Sequence, residues 1–209
     1  RLRSRGLGDV YKRQEIYGQL VYNGVTFTSG LQLADINKTN MIIVDGVSKA
    51  YAMTGWRIGW TIAQPKIIQA MNKLLGHLTS NPTAAAQYAA IEALNGDQAT
   101  VETMRQAFEE RLNKTFDALN CVPGLHVDVK PQGAFYLFPK VDAEALLAVG
   151  VANTTELSTK ILQEAHVAVP AGEGFGMPGY FRLSYAKDQA TLDEAINRLS
   201  DFFKKYMKA

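Results

Sequence analysis

The chain has 209 residues, 47% of them hydrophobic, and a formal net charge of +2. That length holds one sizeable domain or two small ones with ample core, and no apolar run reaches the length of a membrane span or fits a signal peptide. The charge is local: residues 1–14 carry five basic side chains against Asp9, a balance of +4 that leaves −2 for the rest, so no basic face points to nucleic acid.

Residues 1–14 show no clear helix or strand period and read as an unrelated leader. Glu15 to Tyr22 reads as a strand end and a loop, Asn23-Gly24 as a turn, and Leu31 to Asp35 as a short helical turn. Met41-Ile42-Ile43-Val44 is an unbroken apolar run with β-branched residues, as in a buried strand. Asp45-Gly46 breaks it. Trp56 to Ala63 reads as a second strand. Pro65 suits a first helical turn, and Ile67, Ile68, Met71, Leu74 and Leu75 keep helical spacing. Ser80-Asn81-Pro82 signals another helix start, with a strongly helical composition from Ala84 to Leu94 and a stop at Asn95-Gly96. A long helix is predicted over Gln98 to Leu119, its inward stripe Val101, Met104, Phe108, Leu112, Thr115 and Leu119, closed by Pro123-Gly124.

The texture then changes. Leu125 to Val129 and Ala134 to Phe138 read as strands, Thr154 to His166 as an amphipathic helix, Val167 to Val169 as a short strand and Phe181 to Tyr185 as another. Ala190 to Tyr206 is a terminal helix, with Leu192, Ala195, Ile196, Leu199, Phe202 and Phe203 inward. Cys121, the single cysteine, excludes an internal disulfide and fits a reducing cytoplasm; it reads as a half-buried helix-end residue. His77, His126 and His166 lack metal-ligand spacing, so no metal site is expected. Trp56 and Trp60 read as core.

The chemistry concentrates in Ser48-Lys49-Ala50-Tyr51-Ala52-Met53-Thr54-Gly55-Trp56-Arg57-Ile58-Gly59. Lys49 sits on a loop at a strand end, and Arg57 follows eight residues later near the same edge. A partly desolvated lysine is a usable amine nucleophile. An arginine beside it offers a planar fork for a phosphate. A lysine that bonds an aldehyde and an arginine that holds a phosphate together suggest pyridoxal phosphate.

Here the chain resembles the class I/II aminotransferases, of the aspartate aminotransferase fold type. Gly46-Val47-Ser48-Lys49, with Gly55 and Arg57-Ile58-Gly59, fits that family's pyridoxal-lysine signature. Glu15-Ile16-Tyr17, Gly133 to Phe138 and Phe181-Arg182-Leu183-Ser184-Tyr185-Ala186 look like further landmarks in the family's order. The resemblance runs from Glu15 to the C-terminus. It implies that Lys49 binds the cofactor aldehyde and moves a proton at the substrate α-carbon, while Arg57 pairs with the cofactor phosphate. Ser48 would approach that phosphate, or simply fit a tight turn. Tyr17 would bond the cofactor's phenolic oxygen, or serve as an amphipathic core residue. Arg182 resembles the arginine that grips the substrate α-carboxylate in a bidentate pair; position alone also allows a surface strand arginine. Gly133 and Ala134 would allow close backbone approach there, or serve packing. Gly55 and Gly59 would serve backbone geometry. Gln14 stands where the family usually has an aspartate that keeps the pyridine nitrogen protonated, and a sequence junction explains it better than a substitution.

The expected fold is α/β: residues 15–96 as the remnant of a fold-type I large domain (a mixed sheet with helices), and residues 97–209 as a smaller α+β domain. The resemblance implies amino-group transfer between an amino acid, most like aspartate, and a 2-oxo acid, in a homodimeric cytoplasmic parent of which this is the C-terminal half. The alternatives from other classes are a truncated, inert remnant and the aminotransferase-like sensor domain of a transcription regulator. The latter would need a helix-turn-helix module, and no such module is legible.

Overall fold

The computed structural model describes residues 11–207. It divides into two compact units, one ending at Arg105 and the other beginning at Gln106, so the division falls inside a long helix rather than at residue 96. Of the leader expected over residues 1–14, residues 1–10 lie outside the described residues.

The first unit is built on three strands in the order β1-β2-β3. Strand β1 (Tyr11–Gln14) runs parallel to β2 (Met41–Gly46), with Gln14 opposite Val44; β3 (Gly59–Ile62) is antiparallel to β2, with Gly59 opposite Gly46. Residues 11–14, which showed no strand period in the sequence, are a strand here. Tyr11–Gln14 lack a period of their own and become a strand by pairing with the apolar run of β2. The second strand is shorter than the sequence suggested, because Thr54–Trp56 form a 3₁₀ turn and Arg57 takes a left-handed conformation (φ 56°) that no ladder accommodates. Gly46 and Gly59 sit opposite each other for a steric reason. A Cβ on Gly46 would lie 2.7 Å from Ile58 O and 3.0 Å from Gly59 Cα.

Helix α1 (Gly30–Leu33) is closed by a capping box of Ser29 and Gln32. Helix α2 (Pro65–Leu78) starts on its proline, as expected from the missing N–H. Helix α3 (Ala84–Asn95) is capped by Thr83, whose hydroxyl accepts from Ala86 N at 3.3 Å, and not by the Ser80-Asn81 pair that the sequence suggested. The core beneath the lysine loop is Val47, Ile58, Ala86 and Ala90, with Tyr51, Met53 and Trp60 packed on it. Trp56 is exposed, contrary to its sequence reading. The helical spacing of α2 is real, but Leu74, Leu75 and Leu78 face outward, as do Tyr88, Ile91 and Leu94 of α3.

Glu15 is buried directly after β1 and ties the unit together. Its carboxylate accepts from Arg13 Nε (2.7 Å), Ser29 Oγ (2.7 Å) and Gly30 N (2.7 Å). Burial works to raise its pKa, but the bonds from Gly30, Ser29 and Arg13 outweigh that and hold it below the ordinary 4.5. A carboxyl with a lowered native pKa adds stability that is complete above 4.5 and lost as pH falls through the native value. Stability of the first unit is therefore expected to decline with acid below that point. In Glu15→Gln that slope should flatten and, at neutral pH, stability should fall by about 1.5–3 kcal/mol. Denaturant melts followed by Trp60 fluorescence at several pH values check this; an unchanged acid slope in the variant would overturn it.

Helix α4 (Ala99–Leu119) follows the predicted stripe: Val101, Phe108, Leu112, Thr115 and Leu119 are buried and Met104 is half-buried. Cys121, just past its end, is exposed rather than half-buried. The second unit holds two short antiparallel ladders. Strand β4 (Leu125–His126) pairs with β6 (Lys140–Val141), and β5 (Tyr136–Leu137) with β7 (Leu183–Ser184). Helix α5 (Ala143–Val149), which the sequence reading missed, and α6 (Thr154–Ala165) pack on α7 (Gln189–Met207). Its core includes Leu137, Leu157, Ile161, Phe181, Tyr185, Leu199 and Phe203. Val167 to Val169 is not a strand; it keeps only alternating burial, since no ladder partner lies beside it among the described residues.

Candidate active site

Parallel pairing of β1 with β2 brings their carboxyl ends to one edge of the sheet, and antiparallel β3 begins at that edge. Four of the sequence-predicted residues are carried there. Tyr17 follows β1 and is half-buried; Ser48 and Lys49 follow β2 in a turn and are half-buried; Arg57 lies two residues ahead of β3 and is exposed. Ligands of α/β sheets bind outside the carboxyl ends of strands, where loops can close on them. The local chain is held firmly. Glu15 N donates to Val44 O at 2.9 Å, and Ala52 N to Lys49 O at 3.2 Å. Tyr51, two residues past the lysine, accepts from Gln19 Nε2 (3.1 Å) and donates to Gln98 Oε1 (3.0 Å), which ties the lysine loop to the start of α4. Ala52 and Arg57 both have positive φ, so the loop between them is folded back tightly.

Arg57 Nη1 donates to Thr54 O at 2.9 Å, which fixes the guanidinium over its own turn. It lines an open depression of about 560 Å³ with Gly55, Asn81, Pro82 and Thr83. Asn81 and Pro82, read as a helix start, thus lie beside the arginine instead of capping α3. Gln14 ends β1 with its side chain exposed. Asp45, on β2 between Val44 and Gly46, is half-buried. Burial pushes its carboxyl above the ordinary value of 3.8, and the nearby Glu15 charge acts in the same direction. No group of three or more His, Cys, Asp or Glu residues suited to a metal occurs among the described residues.

Arg182 belongs to the second unit. Period-two alternation sets its place: Phe181, Leu183 and Tyr185 face the core, while Arg182 is half-buried on the other face. Tyr136 pairs with Ser184, so Tyr136 and Phe138 share the face of Arg182. Arg182 Cζ lies 4.5 Å from the Tyr136 ring centre and 4.4 Å from that of Phe175; its backbone N donates to Pro170 O at 2.8 Å, but among the described residues its guanidinium has neither a hydrogen-bond acceptor nor a counter-ion. Ala134, with φ 63°, directs its carbonyl to Tyr185 Oη at 3.1 Å, so its unusual backbone serves packing of the strand pair. Phe175 escaped the sequence reading. It sits on a 3₁₀ turn, Gly172–Phe175, with no periodic signal to mark it in the sequence.

The family model "Aminotransferase class I and II" matches residues 14–199. Asparagine–oxo-acid transaminase of Streptococcus mutans is 53% identical over 191 residues, which is 91% of this chain and 48% of that protein. Aspartate aminotransferase of a Bacillus species is 50% identical over 190 residues, again 48% of its length. The chain therefore spans about half the length of the curated relatives it matches. Among solved structures, aspartate aminotransferase from Rhizobium meliloti superposes with a TM-score of 0.86 at 34% identity, covering 93% of this chain and 50% of that one. Aromatic aminotransferase from Pyrococcus horikoshii gives 0.84 at 34% identity, over 94% and 51%. The fold is that of these fold-type I enzymes, and a match over most of the chain in both sequence and structure places it in the class I and II aminotransferase family.

Proposed function

We propose that the protein carrying this chain is a pyridoxal-phosphate-dependent aminotransferase that moves an amino group from aspartate to a 2-oxo acid. The observation that carries the reading is the gathering of Tyr17, Lys49 and Arg57 at one sheet edge in a chain of this family. These residues suit the cofactor chemically. A half-buried amine on a rigid turn can engage an aldehyde; an exposed guanidinium over a depression can pair with a phosphate; a tyrosine at the same edge can donate to a phenolic oxygen. When bound, pyridoxal phosphate supplies the electron sink for charge developed at the substrate α-carbon. Lys49 would hold and move the proton at that carbon, Ser48 would sit beside the phosphate, and Arg182 would hold the α-carboxylate. Gln14 would offer the pyridine nitrogen a hydrogen bond without a charge. The reading extends to a cytoplasmic homodimer, on the resemblance alone.

Aspartate is favoured because several curated relatives carry that name; asparagine is the second reading, favoured by the relative at 53% identity. The test is transfer of labelled nitrogen to 2-oxoglutarate by the whole protein in saturating pyridoxal phosphate, with aspartate, asparagine, tyrosine and alanine as donors. Aspartate is expected to be the best donor. Faster transfer from asparagine would select the second reading, and no transfer from any of the four would overturn the assignment.

A further inference from the structure

Arg182 is a half-buried cation whose charge meets no carboxylate among the described residues. Such a group is costly unless something compensates it. Here the compensation is aromatic: its Cζ lies over Tyr136 at 4.5 Å and over Phe175 at 4.4 Å. A ring face attracts a cation through its quadrupole. Unlike a carboxylate counter-ion, it does not occupy the fork of N–H donors. Two ring faces therefore keep the guanidinium in place and leave its hydrogen-bonding capacity for an incoming oxyanion.

Both rings are themselves fixed. Tyr136 is on β5, opposite Ser184 of β7. Phe175 closes the 3₁₀ turn Gly172–Phe175, which the structure secures in three ways. Gly172 N donates to Tyr180 O at 2.7 Å, and a Cβ on Gly172 would lie 2.6 Å from that oxygen and strike Met177 O. The Glu173 carboxylate accepts from Thr154 N at 3.0 Å and Thr154 Oγ1 at 2.7 Å, at the start of α6. Phe138 meets Phe175 edge-on with centroids 5.8 Å apart and stacks on Tyr180 at 5.7 Å. Phe175 is still 47% exposed, so this anchoring does not follow from core burial. Packing alone would not need an aromatic ring at this spot; holding a cation without consuming its donors does.

We propose that Phe175 and Tyr136 are positioning residues that hold the Arg182 guanidinium, with its donors unspent, for the carboxylate of the amino- or oxo-acid substrate. The inference rests on the reading of Arg182 as the carboxylate-holding residue. It predicts that aromatic character at position 175 sets carboxylate affinity even though the ring touches no part of the chemistry.

The test uses the 209-residue chain, with acetate as the probe and the Arg182 Nε–H resonance as the reporter. Acetate should shift that resonance saturably. Phe175→Leu should weaken acetate binding by roughly three- to tenfold, and Phe175→Tyr should restore it to within about twofold, since a second ring face replaces the first. Unchanged Leu183 and Tyr185 resonances would show that the strand pair is intact. Equal acetate affinity in Phe175→Leu and the parent would overturn the positioning role while leaving Arg182 as the carboxylate site. Failure of acetate to move the Arg182 resonance in the parent would overturn both. If Phe175→Leu disturbs the strand pair, Phe175→Met decides: it fills similar space without a ring face, so acetate binding should again weaken by roughly three- to tenfold, and an affinity equal to the parent's would sink the proposal.

Discussion

Replacing Lys49 with alanine is expected to remove the covalent attachment of pyridoxal phosphate and to lower turnover by at least about 10²–10⁴-fold, the range that a positioned acid–base group contributes. The lysine stands in a turn directly after β2, half-buried, with its carbonyl bonded to Ala52 N and its neighbour Tyr51 tied to Gln19 and Gln98. The backbone is thus set by bonds that the side chain does not make, so alanine should leave the loop intact. The measurement is borohydride reduction in the presence of the cofactor, followed by peptide mapping. In the parent chain the pyridoxyl group should map to the peptide containing Lys49. An undiminished adduct in Lys49→Ala, mapped to a peptide that carries a different lysine, would remove the assignment.

Arg182→Lys is expected to lower kcat/KM by about 2–4 kcal/mol of transition-state stabilisation, roughly 30- to 1,000-fold, for amino-acid and oxo-acid substrates alike. The lysine ammonium can still sit over the rings of Tyr136 and Phe175, so the charge and the strand pair are retained. The planar fork that meets both oxygens of a carboxylate is lost. Cofactor affinity should barely change. A loss of cofactor affinity with normal turnover at saturation would move Arg182 out of the substrate role. Comparison with Phe175→Leu separates two contributions: the arginine variant loses the donors, the phenylalanine variant only their support.

Much of the helical framework was legible from local pattern. Pro65, the stripe of α4 from Val101 to Leu119 and the inward residues of α7 each sit within a few turns of one helix, so their 3.6-residue period marks the element before anything packs on it. The lysine motif was legible for a similar reason: an apolar strand, a Gly break and a tight turn are all contiguous. Strands were less so. Tyr11–Gln14 become β1 only through β2, and Val167 to Val169 have strand-like alternation without a ladder. Helix α5 is short, and its seven residues span too few turns to reveal a period.

The site divides along the same line. Residue type and spacing pointed to Lys49 and Arg57, since only a few side chains can serve as amine nucleophile or oxyanion fork, and the resemblance to the family added Tyr17 and Arg182. The tertiary structure decided that Arg57 leaves the strand in a left-handed turn, that Trp56 is exposed, and that Asn81 and Pro82 lie beside the arginine. It also decided that Phe175, from a turn with no period, and Tyr136, from a different strand, meet over one guanidinium. Those arrangements depend on cross-strand register and on loops closing over long stretches of chain, and neither leaves a mark in the local order of residues.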